Sequence, residues 1–165
     1  MEDILLKNQS LKQKLFELLK LKNLKISTAE SCTGGMIGAS ITSIPGISSY
    51  YGYGFVTYSN EAKQTLIGVK EETLNKFGAV SAQTVLEMAE GALNVSGSDI
   101  AVSVSGIAGP DGGTKEKPVG LVYIGLATKN KRSFNKFVFK GNREEVRQQT
   151  VNSALEMIIN IIEKN

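Results

Sequence analysis

In "TAESCTGGMIG", Thr28 to Gly38, Ser31 and Cys32 stand side by side, with Glu30 before them and Thr33, Gly34 and Gly35 after. Either side chain becomes a nucleophile once a base removes its proton. The chain contains no histidine, so that base must be a lysine, tyrosine, aspartate or glutamate. A serine served by a lysine is a known alternative to the Ser-His-Asp arrangement, and it needs a neutral amine. Lys63 is the best-placed candidate. It follows "YSN" in the first turn of an expected helix, where the helix dipole disfavours a cation. Tyr58, at the end of the preceding expected strand, can pass a proton or donate to an oxyanion. A surface lysine beside a core tyrosine is the plainer account of these two residues, and local context alone favours it.

The same duality holds elsewhere. Ser31 falls between an expected strand and an expected helix, so helix N–H groups after it can hold an oxyanion or a phosphate. Ser31 or Thr33 can equally be a helix cap. Cys32 is the rival nucleophile, but a lone cysteine at a strand end is more often a small buried packing residue. "SGIAGPDGG", Ser105 to Gly113, has four glycines in nine residues. Such a loop lets backbone approach a ligand at Ser105 and Gly106, but it matches no phosphate-binding fingerprint and a plain turn fits it as well. Arg143 and Arg147 are two of the three arginines in the chain. Four residues apart, they share one helix face, and their forks suit phosphate or carboxylate. Ion pairing with Glu144 or another carboxylate is the alternative.

The elements that must position these residues are legible in outline. Leu11, Leu15, Leu18 and Leu19 form one apolar helical stripe. Leu24, Ile26 and Thr28 alternate with polar residues as a short strand does. Ile37, Ile41 and Ile44 resume helical spacing until Pro45-Gly46. "GFVTY", Gly54 to Tyr58, reads as a strand, and Ser59-Asn60 as the cap of the next helix. A helix carrying Val85, Met88, Ala89 and Ala92 opens after Ser81. "DIAVSVSG", the apolar "GLVYIGLAT" and the lysine-guarded "SFNKFVFK" read as three further strands. Asn142 and Glu145 form a capping box for a last helix. Helices and strands alternate early and strands cluster late. The expected fold is therefore one α/β domain over residues 1–165, a three-layer α/β/α sandwich with a mixed, mostly parallel sheet of about five strands.

Bulk properties remove several classes of function. The chain has 165 residues, a net charge of +3 and one cysteine. One cysteine allows no intramolecular disulfide, and with no histidine it allows no tetrahedral Cys/His metal site. The lysines Lys7, Lys12, Lys14, Lys20, Lys22 and Lys25 lack interleaved aromatics, so they read as a solvated helix face and not as a nucleic-acid stripe. No apolar run approaches membrane-spanning length. Glu2 and Asp3 stand where a secretory leader would carry positive charge, so a cytoplasmic location is expected.

Taken together, "TAESCTGG", "GFVTYSNEAK", "GAVS", "SGIAGPDGG", "KPVG" and "GNREEVR" follow the order found in the CinA C-terminal domain family. The chain resembles the stand-alone, PncC-like nicotinamide-nucleotide amidases of that family from about Leu11 to Ile161. The resemblance implies an amidohydrolase that converts nicotinamide mononucleotide and water to nicotinate mononucleotide and ammonia, usually as a homodimer and without a metal or organic cofactor. It implies catalytic roles for Ser31, Lys63 and Tyr58. It also implies a nucleotide pocket that draws on the Ser31 segment, on Ser105 and Gly106, and on Arg143 and Arg147. Three rivals stand beside it: a nucleotide-sensing module without catalysis, an amidase for the riboside or free nicotinamide, and a cysteine-dependent enzyme.

Overall fold

The computed structural model describes residues 1–165. The leucine stripe forms helix α1 (Glu2–Lys22), with Leu15 and Leu19 fully buried. Five strands follow: β1 (Ile26–Glu30), β2 (Tyr51–Val56), β3 (Ile100–Gly106), β4 (Leu121–Thr128) and β5 (Arg132–Val138). They form one sheet in the order β2-β1-β3-β4-β5. β1 is parallel to both β2 and β3, while β4 is antiparallel to β3 and to β5. Four of the five strands thus run the same way. Helices α2 (Met36–Thr42) and α6 (Arg143–Glu163) join α1 on one face, over the larger hydrophobic core. Helices α3 (Asn60–Ile67), α4 (Glu71–Phe77) and α5 (Ala82–Ser96) cover the other, over the smaller one. This is the expected α/β/α sandwich with a mixed sheet.

Three local differences matter. β1 begins two residues later than its alternation suggests, and all five of its residues are buried, because it is a central strand covered on both faces. Its polar side chains are satisfied internally; Thr28 Oγ1, for example, lies 2.8 Å from Tyr51 Oη. β2 begins earlier and ends at Val56, which leaves Thr57 and Tyr58 beyond the strand. α4 is unforeseen: it is seven residues long and has no side-chain N-cap, so it carries little sequence signal.

Parallel pairing decides where the reactive residues emerge. Glu30 is in register with Val56 on one side and Val104 on the other. Ser31, Thr57 and Ser105 follow these three positions, so they lie together at the carboxyl ends of the parallel strands, where open α/β sheets form ligand crevices.

α3 is held against α5 by a close backbone approach. A Cβ on Gly91 would overlap the carbonyl oxygen of Ile67. Gly91→Ala must therefore push away the carboxyl end of α3, the helix that carries Lys63. The expected loss is about 3 kcal/mol of stability in urea unfolding. A loss within about 0.5 kcal/mol would show that the two helices part freely.

Candidate active site

A cleft of about 220 Å³ opens at the carboxyl ends of β1 and β3. Ser31, Cys32, Tyr58, Lys63, Ser105, Gly106 and Arg143 line it, with Asn60, Ala79, Val80 and Ala108. A larger, mostly polar groove of about 640 Å³ lies at the opposite end of the sheet, between α5 and the β4–β5 turn. It contains none of the reactive residues predicted from the sequence.

Lys63 is delivered by α3. Ser59 caps that helix by accepting from the Ala62 amide at 3.0 Å. The first helical turn places Lys63 inward, and it is only 1% exposed. Its Nζ lies 2.8 Å from the Thr57 carbonyl and 3.2 Å from Ser31 Oγ. The three ion pairs of the molecule, Lys7–Glu156, Lys14–Glu163 and Arg132–Glu90, all lie elsewhere on partly exposed side chains. Lys63 therefore has no carboxylate to hold its charge. Burial pushes its amine below the usual lysine value, and only the neighbouring Cys32 acts the other way, as a thiolate. That opposition is idle at neutral pH, because burial pushes the Cys32 thiol up to about 12. Cys32 packs into the larger core as a neutral thiol.

Glu30 is fully engaged with its own loop. Its carboxylate accepts from Thr33 Oγ1 at 2.5 Å and from the amides of Gly35, Ile37 and Gly38 at 3.1, 3.0 and 2.8 Å. This corrects one expectation. The amides at the start of α2 are not open to an oxyanion, because Glu30 already occupies them. In this segment the amides of Cys32 and Thr33 are the ones that donate to no protein oxygen, whereas those of Ser31 and Gly34 pair with Val104 and Ser31. Glu30→Gln puts an amide –NH2 where four donors converge. A loss of about 2 kcal/mol is expected, read as a lower urea midpoint with unchanged slope. An unchanged midpoint would mean that water replaces the carboxylate.

The remaining predicted residues divide between rim and scaffold. Tyr58 is 62% exposed at the cleft mouth, and its hydroxyl accepts from Arg143 Nη2 at 3.2 Å without touching Lys63 or Ser31. Arg143 also donates from Nη1 to the Gly109 carbonyl at 2.9 Å, which ties the glycine loop to the rim. Ser105 Oγ is buried at the cleft with no hydrogen-bond partner, and Gly106 follows it as the last residue of β3. Arg147 points away from the cleft, onto the carbonyls of Cys32 and Thr33. Neither arginine is in an ion pair. Thr33, Gly34 and Gly35 form the turn beneath Ser31 and do not line the cleft. Thr57, whose carbonyl holds Lys63, was missed by the sequence reading: it carried no local signal beyond its place in "GFVTY".

An α/β/α sandwich with a buried serine–lysine pair at the ends of its parallel strands is the class that fold and site define. The chain belongs to the CinA C-terminal domain family, whose model matches residues 8–162. A CinA-like protein of Endomicrobium trichonymphae is 62% identical over 141 residues, which cover 85% of this chain and 33% of that protein. A putative competence-damage inducible protein of Clostridium novyi is 53% identical over 149 residues, 90% of this chain and 36% of that one. The chain thus spans about a third of the length of these curated relatives. Among solved structures, the competence/damage inducible protein CihA of Agrobacterium tumefaciens superposes with a TM-score of 0.92 at 45% identity, covering 94% of this chain and 95% of that one. No helix of the molecule is long and apolar enough to cross a membrane.

Proposed function

We propose that this domain is an amidohydrolase that deamidates nicotinamide mononucleotide to nicotinate mononucleotide and ammonia, with Ser31 as nucleophile and Lys63 as base. The observation that carries the chemistry is the buried Lys63 amine, without a counter-ion, 3.2 Å from Ser31 Oγ. The family resemblance carries the choice of substrate.

Neutral Lys63 takes the Ser31 proton while it donates to the Thr57 carbonyl. Ser31 Oγ attacks the carboxamide carbon, and the C–O bond forms as the carbonyl electrons move to oxygen. The unpaired amide of Cys32, at the cleft wall, stabilises that oxyanion. Lys63 then protonates the departing nitrogen, the C–N bond breaks, and ammonia leaves. Water, deprotonated by Lys63, hydrolyses the acyl-enzyme to the carboxylate and restores Ser31. Ser105, with its free hydroxyl in the cleft, binds the reacting end of the substrate. Arg143 at the rim meets the phosphate, and Tyr58 moves with it. The cationic pyridinium activates the amide and disfavours a second positive charge on Lys63. As part of this reading the protein acts as a cytoplasmic homodimer with no cofactor.

The test is ammonia release by the purified protein from nicotinamide mononucleotide, with nicotinamide riboside and nicotinamide as comparisons. Release dependent on the phosphate supports the reading. Binding of the mononucleotide with no release points instead to a nucleotide-sensing module.

A further inference from the structure

Arg147 lies one helical turn after Arg143 on α6, yet it serves a different surface. Its Nε donates to the Cys32 carbonyl at 3.1 Å and its Nη2 to the Thr33 carbonyl at 2.9 Å. No carboxylate competes for it. Gly34, at φ 59°, makes room for the fork: a Cβ there would stand 3.4 Å from Nη2.

A trans peptide is planar, so its C=O and the following N–H point in opposite directions. Arg147 draws the Cys32 carbonyl toward α6, which fixes the Cys32–Thr33 peptide beneath the loop, where Thr33 is fully buried. α6 belongs to the α1/α2 layer, whereas Lys63 arrives from α3 in the opposite layer. The second contact sets the next peptide: with the Thr33 carbonyl held, the Gly34 amide turns back to Ser31 O at 3.0 Å and closes the turn. The Ser31 carbonyl is thereby fixed toward Gly34, and the amide of Cys32, a cleft-lining residue, points the opposite way from that carbonyl. A charged donor on the Thr33 carbonyl also polarises the chain of peptides that runs through Gly34 N–H and the Ser31 carbonyl, which strengthens the Cys32 N–H as a donor.

We propose that Arg147 is a positioning residue for catalysis: it orients the Cys32 amide as an oxyanion donor by holding the carbonyls of the nucleophile loop, and it does not bind the substrate phosphate. The chemistry rests on the amidase reading above; the loop geometry does not.

Two measurements on the full chain test it, with Arg147→Gln and Arg147→Lys. The first is steady-state hydrolysis of nicotinamide mononucleotide. Arg147→Gln is expected to lower kcat about 100-fold, the effect of losing one oxyanion donor, with KM changed less than about threefold. Lysine, which still donates to a carbonyl, restores part of kcat. A raised KM with unchanged kcat would make Arg147 a phosphate ligand and overturn the proposal. The second is hydrogen–deuterium exchange of the segment 31–36, which needs no turnover. Faster exchange there in Arg147→Gln, with α5 and β4 unchanged, is expected; unchanged exchange overturns the clamp. If the wild type releases no ammonia, the amidase reading fails and the exchange result alone decides whether the clamp exists.

Discussion

If the proposed amidase reading holds, Ser31→Ala is expected to abolish ammonia release from nicotinamide mononucleotide, by at least about 10³-fold in kcat, while Cys32→Ala is expected to keep most of the activity. The two side chains are adjacent in sequence but differ in what surrounds them. Ser31 Oγ lies in the cleft, 3.2 Å from an amine that burial drives toward its neutral form. The Cys32 thiol packs into the core, and burial holds its pKa near 12, so the fraction of thiolate at neutral pH is negligible. Cys32→Ala removes a small apolar group from that core, so a modest loss of stability of about 1 kcal/mol accompanies it. Unfolding curves for both variants separate that loss from catalysis. If Cys32→Ala is inactive while folded and Ser31→Ala is active, the nucleophile is the cysteine and the proposed mechanism is wrong.

Lys63→Met is expected to remove activity as completely as Ser31→Ala, and also to change how stability depends on pH. Burial lowers the folded-state pKa of Lys63 below its unfolded value of 10.5. Below both values the amine is protonated in both states, and folding must bury a cation. Between the two values only the unfolded chain holds the proton, so stability rises with pH across that window and is flat outside it. Wild type should therefore gain on Lys63→Met as pH rises toward 10.5. Urea midpoints measured in parallel from pH 6 to 10.5 read this directly. In the proposed mechanism the same amine should set the acid limb of kcat/KM: the rate is expected to rise with pH as Lys63 loses its proton and to level off below 10.5. Parallel stability curves for the two proteins would mean that the buried amine keeps an ordinary pKa, and the general-base role would fall with it.

Much of the fold was readable because local signals agreed with one another. The stripe of α1, the cap at Ser59, the capping box of Asn142 and Glu145, and the apolar run of β4 each reappear as structure. α4 was missed because seven residues with no side-chain cap leave too little periodicity to detect. The alternation read into β1 did not survive, because a strand covered on both faces buries its polar residues too and satisfies them through partners far along the chain.

The site divides in the same way. By itself the sequence determined the chemical inventory: a serine beside a cysteine, no histidine, a lysine early in a helix, and two arginines on one helical face. Those are properties of residue type and short spacing, and no fold can change them. Only the tertiary structure decided which of them meet. Ser31 and Lys63 are 32 residues apart, and parallel pairing of β1 with β2 brings their side chains together. The same packing turns Glu30 onto the start of α2, Cys32 into the core, and Arg147 away from the solvent and onto the loop that carries the serine. Neighbours in sequence are separated, and distant residues joined, because the direction of each side chain is set by the layer against which its element packs.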